Sequence, residues 1–309
     1  MIRYVALRVL AGLPVLWVVA TLTFALLRFL PGGPFDKEKT LPPEILRNLE
    51  RRYALDGSLG AQYADYLGRL IRGDLGPSYK YVGRDVTDIL ADALPVSIEL
   101  GLVALVIALA GGVALGLAAG ARRDSLVDRA VGIASLLGVS APSFVIGAAL
   151  ILGVALHLDW LPAGLWEGPI YAVLPALTLA ALPLAYIAQL TRAQVVAVMD
   201  QDYVRTARAK GVSEGRVRRH HVLRNALLAV LTYFGPLLAM LLTGSFVVER
   251  IFAIPGMGRF FVTAVTNRDY PLVLGVTLVY AALVVVANLV VDVLYAWLDP
   301  RIRVGRGER

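Results

Sequence analysis

We begin with the lysines of this 309-residue chain, because the phosphate-binding loop of many nucleotide-binding proteins contains a lysine at a fixed spacing from two glycines. The chain has four lysines, Lys37, Lys39, Lys80 and Lys210. None of them completes the G-x-x-x-x-G-K-[ST] pattern in which a glycine-rich loop and a lysine bind phosphate groups. We therefore expect no ATP to be bound by such a loop in this chain.

Histidine and serine offer two further kinds of chemistry. His220 and His221 are adjacent, and neighbouring residues on a helix point about 100° apart. No Glu-x-x-His supports them, so we interpret the pair as solvated or interfacial rather than as metal ligands. An intramembrane serine protease needs a histidine near an embedded serine, but His157 lies at the end of an apolar run and the other two histidines lie in a loop, which disfavours an intramembrane hydrolase. The chain also has no cysteine, which excludes thiol chemistry and thiolate metal sites. From these four residue types together, we assign no catalytic, metal-binding or cofactor-binding residue and expect no enzyme.

Most of the remaining sequence pattern consists of long apolar runs. The chain is 58% hydrophobic and only 17% charged, and 134 residues fall in six uncharged runs. The runs are Val9–Leu27, Leu100–Ala121, Ala130–Leu156, Ile170–Thr191, Ala226–Val248 and Pro271–Val291. Each approaches or exceeds the roughly 20 residues that a helix needs to cross a bilayer, and none alternates like a barrel strand. The sequence predicts an all-α polytopic membrane protein with six transmembrane helices, the first of them retained rather than cleaved.

Basic residues are distributed unevenly between the polar segments, which predicts an orientation. The N-terminal segment, the segment after the second run, the loop 192–225 and the C-terminal segment together hold 17 Lys and Arg. The short segments on the other side hold 3. By the positive-inside rule both termini and the loop 192–225 are predicted to be cytoplasmic. The net charge of +7 then reflects topology and contact with anionic lipid, and we expect no nucleic-acid partner.

The segment between the first two runs is long and patterned enough to fold. We divide the chain into residues 1–28, with the first span, an extracytoplasmic insertion over 29–97, and a core membrane region over 98–309 that contains the other spans and the loop 192–225. Short helices are predicted from Pro43, from Tyr63 to Ile71 with an end at Gly73, and over Asp85 to Ala93. The pattern leaves two interpretations open, a cap that docks an outside partner and a lid that packs on the bundle.

The spans themselves contain small residues and prolines but almost no charge. Gly112, Gly116 and Gly120 recur at intervals of four, which predicts close helix contact in lipid. Five prolines interrupt the runs, namely Pro14, Pro142, Pro175, Pro183 and Pro236. The acidic residues Glu99 and Asp292 lie only at span edges, so coupling to protons or sodium is disfavoured. We expect the energy for any transport to come from outside this chain.

The loop between the fourth and fifth runs carries the richest pattern. Acidic residues begin the stretch from Met199 to Ser213 and basic residues follow, which predicts a short helix. Gly211 suits a left-handed C-cap and Ser213 suits the start of a second helix. The stretch is interpreted either as a compact knob that docks in a groove of another subunit or as a basic loop held at the membrane by its charge.

An ordered series of motifs extends over nearly the whole chain. They are Gly73–Gly76, Pro142–Phe144, Gln201–Gly211, Arg224–Ala226, Gly244–Glu249, Ile254–Gly258, Asn267–Pro271 and Leu298–Arg301. With these motifs the chain resembles the membrane-spanning permease subunits of bacterial ABC importers, and in particular the oligopeptide and dipeptide permease family. The stretches Pro31–Phe35 and Leu41–Glu44 look more like the oligopeptide B-type subunit. Dipeptides, glutathione or nickel chelates stay open as alternative cargo, with an ion-coupled secondary transporter as a distant one.

The resemblance implies an architecture and a set of partners. The fold would be that of a type I ABC importer permease in the bacterial inner membrane, forming half of a translocation pathway for peptides. A homologous second permease, two ABC ATPase subunits that bind ATP and Mg, and an extracytoplasmic binding protein would complete the importer.

The resemblance also assigns two groups of residues. Arg205 to Gly211 correspond to the Glu-Ala-Ala…Gly loop that docks on the ATPase, with Arg205 and Thr206 in place of the Glu and the first Ala. The expected coupling loop is Tyr203, Val204, Arg205, Thr206, Ala207, Arg208, Ala209, Lys210 and Gly211. The expected extracytoplasmic gate is Glu249, Ile254, Pro255, Gly256 and Gly258, within a folded-back element from Glu249 to Asn267.

Overall fold

The computed structural model describes residues 2–35, 43–217, 222–243 and 246–298. Within those ranges the regular secondary structure is helical, apart from one isolated antiparallel bridge between Pro77 and Asp85, and turns and loops join the helices. The α-helices of the described residues are α1 (Ile2–Phe29), α2 (Pro43–Arg52), α3 (Leu59–Ile71), α4 (Val86–Ala121), α5 (Leu126–Ser140), α6 (Ser143–Leu150), α7 (Val173–Met199), α8 (Asp202–Ala209), α9 (Glu214–Val217), α10 (Leu223–Leu242), α11 (Phe246–Ile251), α12 (Met257–Asn267) and α13 (Tyr270–Leu298). A π-helical stretch, Ile151–His157, continues α6, and a 3₁₀ turn, Pro169–Ala172, precedes α7.

Several of these helices are long and apolar enough to cross a membrane. Five candidate spans lie in the described residues, Val5–Phe29, Val86–Ala121, Pro169–Met199, Val230–Ile251 and Tyr270–Val293. A sixth is present if the pair Leu126–Ser140 and Ser143–His157 counts as one span. The predicted all-helical fold with up to six spans is therefore confirmed.

The third predicted span is present as a pair of helices rather than as one continuous helix, and the break lies at Pro142, where an interruption was predicted. The pair that replaces it is bent by 113°. Ala141 is extended, with φ −82° and ψ 127°, because the residue before a proline is pushed out of the helical region. Pro142 also lacks the N–H that would continue α5. The uncharged run Ala130–Leu156 concealed this break because hydropathy does not register a change of direction.

The other prolines differ in their effect. Pro14, Pro183 and Pro236 lie inside α1, α7 and α10, where each removes one intrahelical hydrogen bond. Pro175 is the third residue of α7, within a first turn whose N–H groups have no intrahelical partner. Pro175 therefore does not interrupt its helix.

The first compact unit comprises Met1–Val96 and Gly256–Leu289. Its core is built from fully buried side chains such as Ile89, Met257 and Leu272. The predicted helix starting at Pro43 is α2, and the predicted helix ending before Gly73 is α3, so both are confirmed. The helix predicted over Asp85 to Ala93 is not a separate element, since α4 continues without a break to Ala121.

The second compact unit comprises Ser97–Pro255 and Val290–Arg309. Helix α7 lies at its centre and contacts α5, α6, α10 and α11. The glycines of α4 pack against α7 as predicted: a Cβ on Gly112 would lie 2.7 Å from Cβ of Ile187, and one on Gly116 would lie 2.5 Å from the carbonyl oxygen of Ala188. Only glycine permits this approach of the two backbones.

Candidate functional site

The predicted knob is a helical hairpin whose turn requires glycine. Helix α8 ends in two bonds, from Gly211 N to Arg208 O (2.9 Å) and from Val212 N to Ala207 O (3.1 Å). This is the Schellman pattern, and Gly211 adopts the left-handed conformation that the pattern needs, with φ +77°. Ser213 then accepts the N–H groups of Arg216 and Val217 at the start of α9. The predicted cap at Gly211 and the second helix after Ser213 are both confirmed.

One face of α8 is buried within its own unit. Val204 is fully buried in a cluster with Val195 and Val198 of α7, Val217 of α9, and Val222. Ala207 and Val212 pack against the same cluster. Apolar packing therefore fixes the hairpin on the end of α7. A loop held at the membrane only by its charge would not need this packing.

Arg208 holds the hairpin together. Its Nε donates to Oε1 of Glu214 at 2.7 Å, and its Nη2 lies 3.4 Å from Sδ of Met199. These contacts join α8 to α9 and to the end of α7. Within the predicted coupling loop, Val204 and Arg208 thus stabilise the loop.

The remaining residues of the loop form its solvent-facing surface. Tyr203 is 44% exposed. The other exposed positions are Arg205, Thr206, Ala209, Lys210 and Gly211. Arg205 lies 3.6 Å from Asp202 in an exposed ion pair, and Thr206 donates to the carbonyl of Asp202. The result is a small surface that combines a tyrosine and two basic side chains with the small residues Ala209 and Gly211, and such a surface can fit into a groove of a partner.

An ion pair that the sequence did not reveal joins α5 to the last third of α7. Arg192 of α7 donates to Asp128 of α5 through both Nε and Nη2, the latter at 2.7 Å. Asp128 is 5% exposed and also accepts the backbone N–H of Asp124 at 3.0 Å. The pair joins α5 to the part of α7 that carries the hairpin. Its two members are 64 positions apart, so residue spacing could not predict the pair. The one local signal was Asp128 in the first turn of α5, where an acidic residue is favourable.

The five predicted gate residues are divided between the two units. Glu249, Ile254 and Pro255 belong to the second unit, whereas Gly256 and Gly258 belong to the first. Glu249 is fully buried and accepts the hydroxyl of Ser97 at 2.8 Å. Ile254, Gly256 and Gly258 are buried too, and Pro255 is exposed. The folded-back element at a pore mouth stays a prediction.

The turn after Glu249 has a strained backbone. Helix α11 ends in bonds from Ile254 N to Glu249 O (2.8 Å) and from Ala253 N to Arg250 O (3.3 Å). Ala253 occupies the left-handed position with φ +53°, where glycine is the usual residue. Leu165 N donates to the carbonyl of Phe252 at 2.8 Å and ties a second loop to the same turn.

No group of three or more His, Asp or Glu residues that would suit a metal occurs in the described part of the chain. The pair His220–His221 lies outside the described residues, as do Gly244, Ser245 and the segment 299–309.

Comparison with known proteins gives these features a context. The model of a family described as "Binding-protein-dependent transport system inner membrane component" matches residues 112–304, which include α8 and the predicted gate. The chain belongs to this family of inner membrane transport components. Family members are transport components and not enzymes, and the several apolar helices agree with a multi-pass protein of the inner membrane.

Individual relatives of this transport component cover almost its whole length. It is 45% identical over 303 residues to the dipeptide transport system permease protein DppB of Bacillus subtilis, covering 98% of each chain. It is 43% identical over 305 residues to the oligopeptide transport system permease protein OppB of Haemophilus influenzae, covering 98% of this chain and all of that one. The Escherichia coli OppB protein is 41% identical over the same length.

A solved structure supports the fold of this family member. A chain from the crystal structure of an amino acid ABC transporter with histidines superposes with a TM-score of 0.50. The match covers 70% of this chain and 94% of that one at 19% identity. The likeness agrees with the ABC importer permease fold that the motifs indicated.

Proposed function

We propose that this chain is a permease subunit of an ATP-driven importer and forms half of a translocation pathway for peptides. The observation that carries the proposal is identity of 41–45% over nearly the full length to permease proteins of peptide transport systems. Oligopeptides are the proposed cargo. Dipeptides, glutathione and nickel chelates are the alternatives within the same architecture.

The proposed partners follow from the family and from the hairpin. Two ABC ATPase subunits bind ATP and Mg, and a groove on one of them receives the exposed surface of α8. A homologous second permease completes the pathway, and an extracytoplasmic binding protein delivers the peptide. In support, Ala209 at the end of α8 and Gly211 just after it are exposed and small, and Val204 anchors the other face of α8.

The proposed orientation places the two ends of this pathway. Residues 29–97 form the extracytoplasmic insertion, residues 98–309 the core, and the loop 192–225 faces the cytoplasm with both termini. Glu249, Ile254, Pro255, Gly256 and Gly258 then lie on the outer side as a gate. Binding of ATP at the partner ATPases would shift the pathway between inward-facing and outward-facing states, which is a coupling between sites in different chains.

Purification from the native membrane tests this proposal. We expect a similar permease and two phosphate-loop ATPases to co-purify in mild detergent, with ATPase activity that a binding protein and peptide stimulate. Reconstituted complex should take up a labelled pentapeptide with ATP and without an ion gradient. Uptake by this chain alone, abolished by ionophores and independent of ATP, would contradict the proposal and favour a secondary transporter.

A further inference from the structure

A small cavity in the first compact unit is lined by arginine and aromatic side chains. It lies where the end of α1, the ends of α2 and α3, and the start of α13 come together, and it has a volume of about 100 Å³. Its principal lining residues are Arg28, Arg52, Tyr53, Gln62, Tyr66 and Tyr79. None of them belongs to the predicted coupling loop or gate.

The cavity carries a positive charge that its own residues do not neutralise. Three arginines line it against one acid, Asp65, which pairs with Arg69 at 2.9 Å. Among the described residues no acidic side chain pairs with Arg28 or Arg52. Arg28 instead lies over the rings of Phe24 and Tyr270, with its guanidinium carbon 5.0 and 5.3 Å from their centroids.

Three buried polar atoms of the lining have no hydrogen-bond partner in the described chain. They are Nε of Arg28, Oε1 of Gln62 and the hydroxyl of Tyr66. Both hydrogens of the Gln62 amide are used, since Nε2 donates to the carbonyls of Leu55 (2.9 Å) and Gly57 (2.8 Å). A buried polar group without a partner is costly, so three around one cavity indicate a ligand that supplies the bonds.

Tyr66 is suited to donate to such a ligand. Its ring stacks on Phe24, with centroids 5.7 Å apart and planes 16° apart, which holds the hydroxyl in place. Burial, and to a smaller degree the neighbouring Tyr63, raises the pKa of Tyr66 to about 12. Burial also raises the pKa of Tyr79 to about 12, although the Arg28 guanidinium beside it opposes the shift. Both hydroxyls therefore keep their protons at neutral pH.

We propose that this cavity binds a single oxyanion group, a carboxylate or a phosphate, through Arg28, Arg52 and Tyr66. Guanidinium and hydroxyl donors are the groups that recognise such anions, and Gln62 can accept from a ligand hydroxyl or a bound water. The volume is sufficient for one such group. Arg28 lies in the last turn of α1, at the end of the candidate span Val5–Phe29. The oxyanion can therefore belong to a lipid headgroup or to a soluble molecule.

Binding to the intact importer tests the proposal, and Tyr66→Phe is the decisive variant. It removes only a hydroxyl that makes no bond within the described chain, so the melting temperature should not fall. Affinity for the oxyanion should drop about tenfold, as expected for a lost hydrogen bond to a charged group. Arg52→Gln should weaken binding similarly, and Arg72→Gln, which removes the charge of an exposed arginine outside the cavity, should not.

Two probes distinguish the sources of the oxyanion. Native mass spectrometry compares phosphatidylglycerol with phosphatidylcholine, and calorimetry compares trialanine with its C-terminal amide and with inorganic phosphate. Selective binding of phosphatidylglycerol that Tyr66→Phe weakens supports a lipid source. Selective binding of free trialanine or of phosphate with the same sensitivity supports a soluble one. If no probe binds, or if Tyr66→Phe and Arg52→Gln bind every probe like the parent chain, the proposal is overturned. Failure of this proposal can be distinguished from failure of the proposed cargo, because oxyanion binding and peptide uptake are measured in separate assays.

Discussion

At the scale of single residues, the buried pair Asp128–Arg192 is expected to stabilise the protein more than the exposed pair Asp202–Arg205 of the hairpin does. Asp128 is almost completely buried and is held by the Arg192 guanidinium and by the backbone of Asp124. A buried carboxylate that loses its cation is left with an unmet desolvation cost. Arg205 and Asp202, by contrast, are both exposed and 3.6 Å apart, an arrangement that contributes little.

Arg192→Gln should therefore destabilise the protein by about 2 kcal/mol, the scale of a lost hydrogen bond to a buried charge. Asp128→Asn should have a comparable effect, and the double variant should cost less than the sum of the two single ones, since both remove the same contact. The measurement is the melting temperature of the purified complex. Arg123→Gln is the control, because its contacts to Asp124 and Asp200 are 3.7 and 3.8 Å long on exposed side chains. A control that melts as early as Arg192→Gln would contradict the argument.

Sequence reasoning located few of these residue-level contacts. Gly211 could be predicted because a left-handed cap follows from local sequence alone. The pairing of Asp128 with Arg192, of Ser97 with Glu249, and the burial of Asp269 against Ser78 each join positions more than 60 residues apart. Such contacts depend on tertiary packing, which residue spacing does not encode.

At the scale of elements, α8 has two faces that serve different purposes. Ala207 packs on the valine cluster. Ala209, two residues further along the helix, lies on a different face and is exposed. A bulky or charged change at Ala207 would disturb the hairpin itself, so loss of transport there would not identify docking. Ala209 is the position at which docking can be tested without unfolding the loop.

Ala209→Trp should abolish ATP-driven uptake and uncouple the ATPase from substrate, because a large ring on the exposed face prevents insertion into a groove. Membrane level and melting temperature should stay unchanged. Uptake in vesicles and stimulated ATPase activity are the readouts. Ala64→Trp, at an exposed alanine of the short helix α3, is the matched control and should transport normally. Normal uptake by Ala209→Trp would refute docking through this face.

The contact of α4 with α7 makes a second element-scale prediction. Gly116→Ala would place a methyl group 2.5 Å from both the Ala188 carbonyl oxygen and Cβ of Thr191, so the helices must separate. We expect a loss of about 1–3 kcal/mol, the usual cost of overpacking. Gly132→Ala in α5 meets no atom within 4 Å and should be neutral or stabilising. Equal melting temperatures for the two variants would show that the approach of α4 to α7 is not tight.

Element boundaries followed from sequence wherever a local signal existed. Pro43 and Gly73 marked a helix start and a helix end correctly. Pro142 was recognised as an interruption, but a bend of 113° could not be inferred from it, since prolines such as Pro183 lie within a continuous helix. The difference arises because Ala141 takes an extended conformation and the chain reverses there.

At the scale of the whole molecule, the distribution of charge predicts which parts face which side of the membrane. The chain contains no cysteine, so a single introduced cysteine reports its own position without a background signal. Ala64 and Ser213 are both exposed and lie in the two segments that the positive-inside rule assigns to opposite sides.

Ala64→Cys should react with a membrane-impermeant maleimide in spheroplasts, and Ser213→Cys should react only in inverted vesicles. Gel shift of the labelled chain is the measurement, and labelling after detergent solubilisation is the control for reactivity. Labelling of Ser213→Cys in intact spheroplasts would reverse the proposed orientation. It would also place α8 out of reach of a cytoplasmic ATPase.

The composition of the chain was enough to predict a helical membrane protein, and its ordered motifs were enough to indicate the family. Neither could place the oxyanion cavity. That cavity combines the end of α1 with α3 and the start of α13, three parts of the chain that share no motif. The long-range aromatic contacts that shape it, such as Tyr79 with Tyr270 at 6.4 Å, are visible only in the folded unit.

Helix α7 leads directly into the hairpin, and its length has a mechanical consequence. A helix of 27 residues is about 40 Å long, so a tilt of about 5° about one end displaces the other by about 3.5 Å. A small rotation of α7 at the α8 end would therefore produce a large displacement at the far end of the helix, where Leu174 and Thr178 are buried.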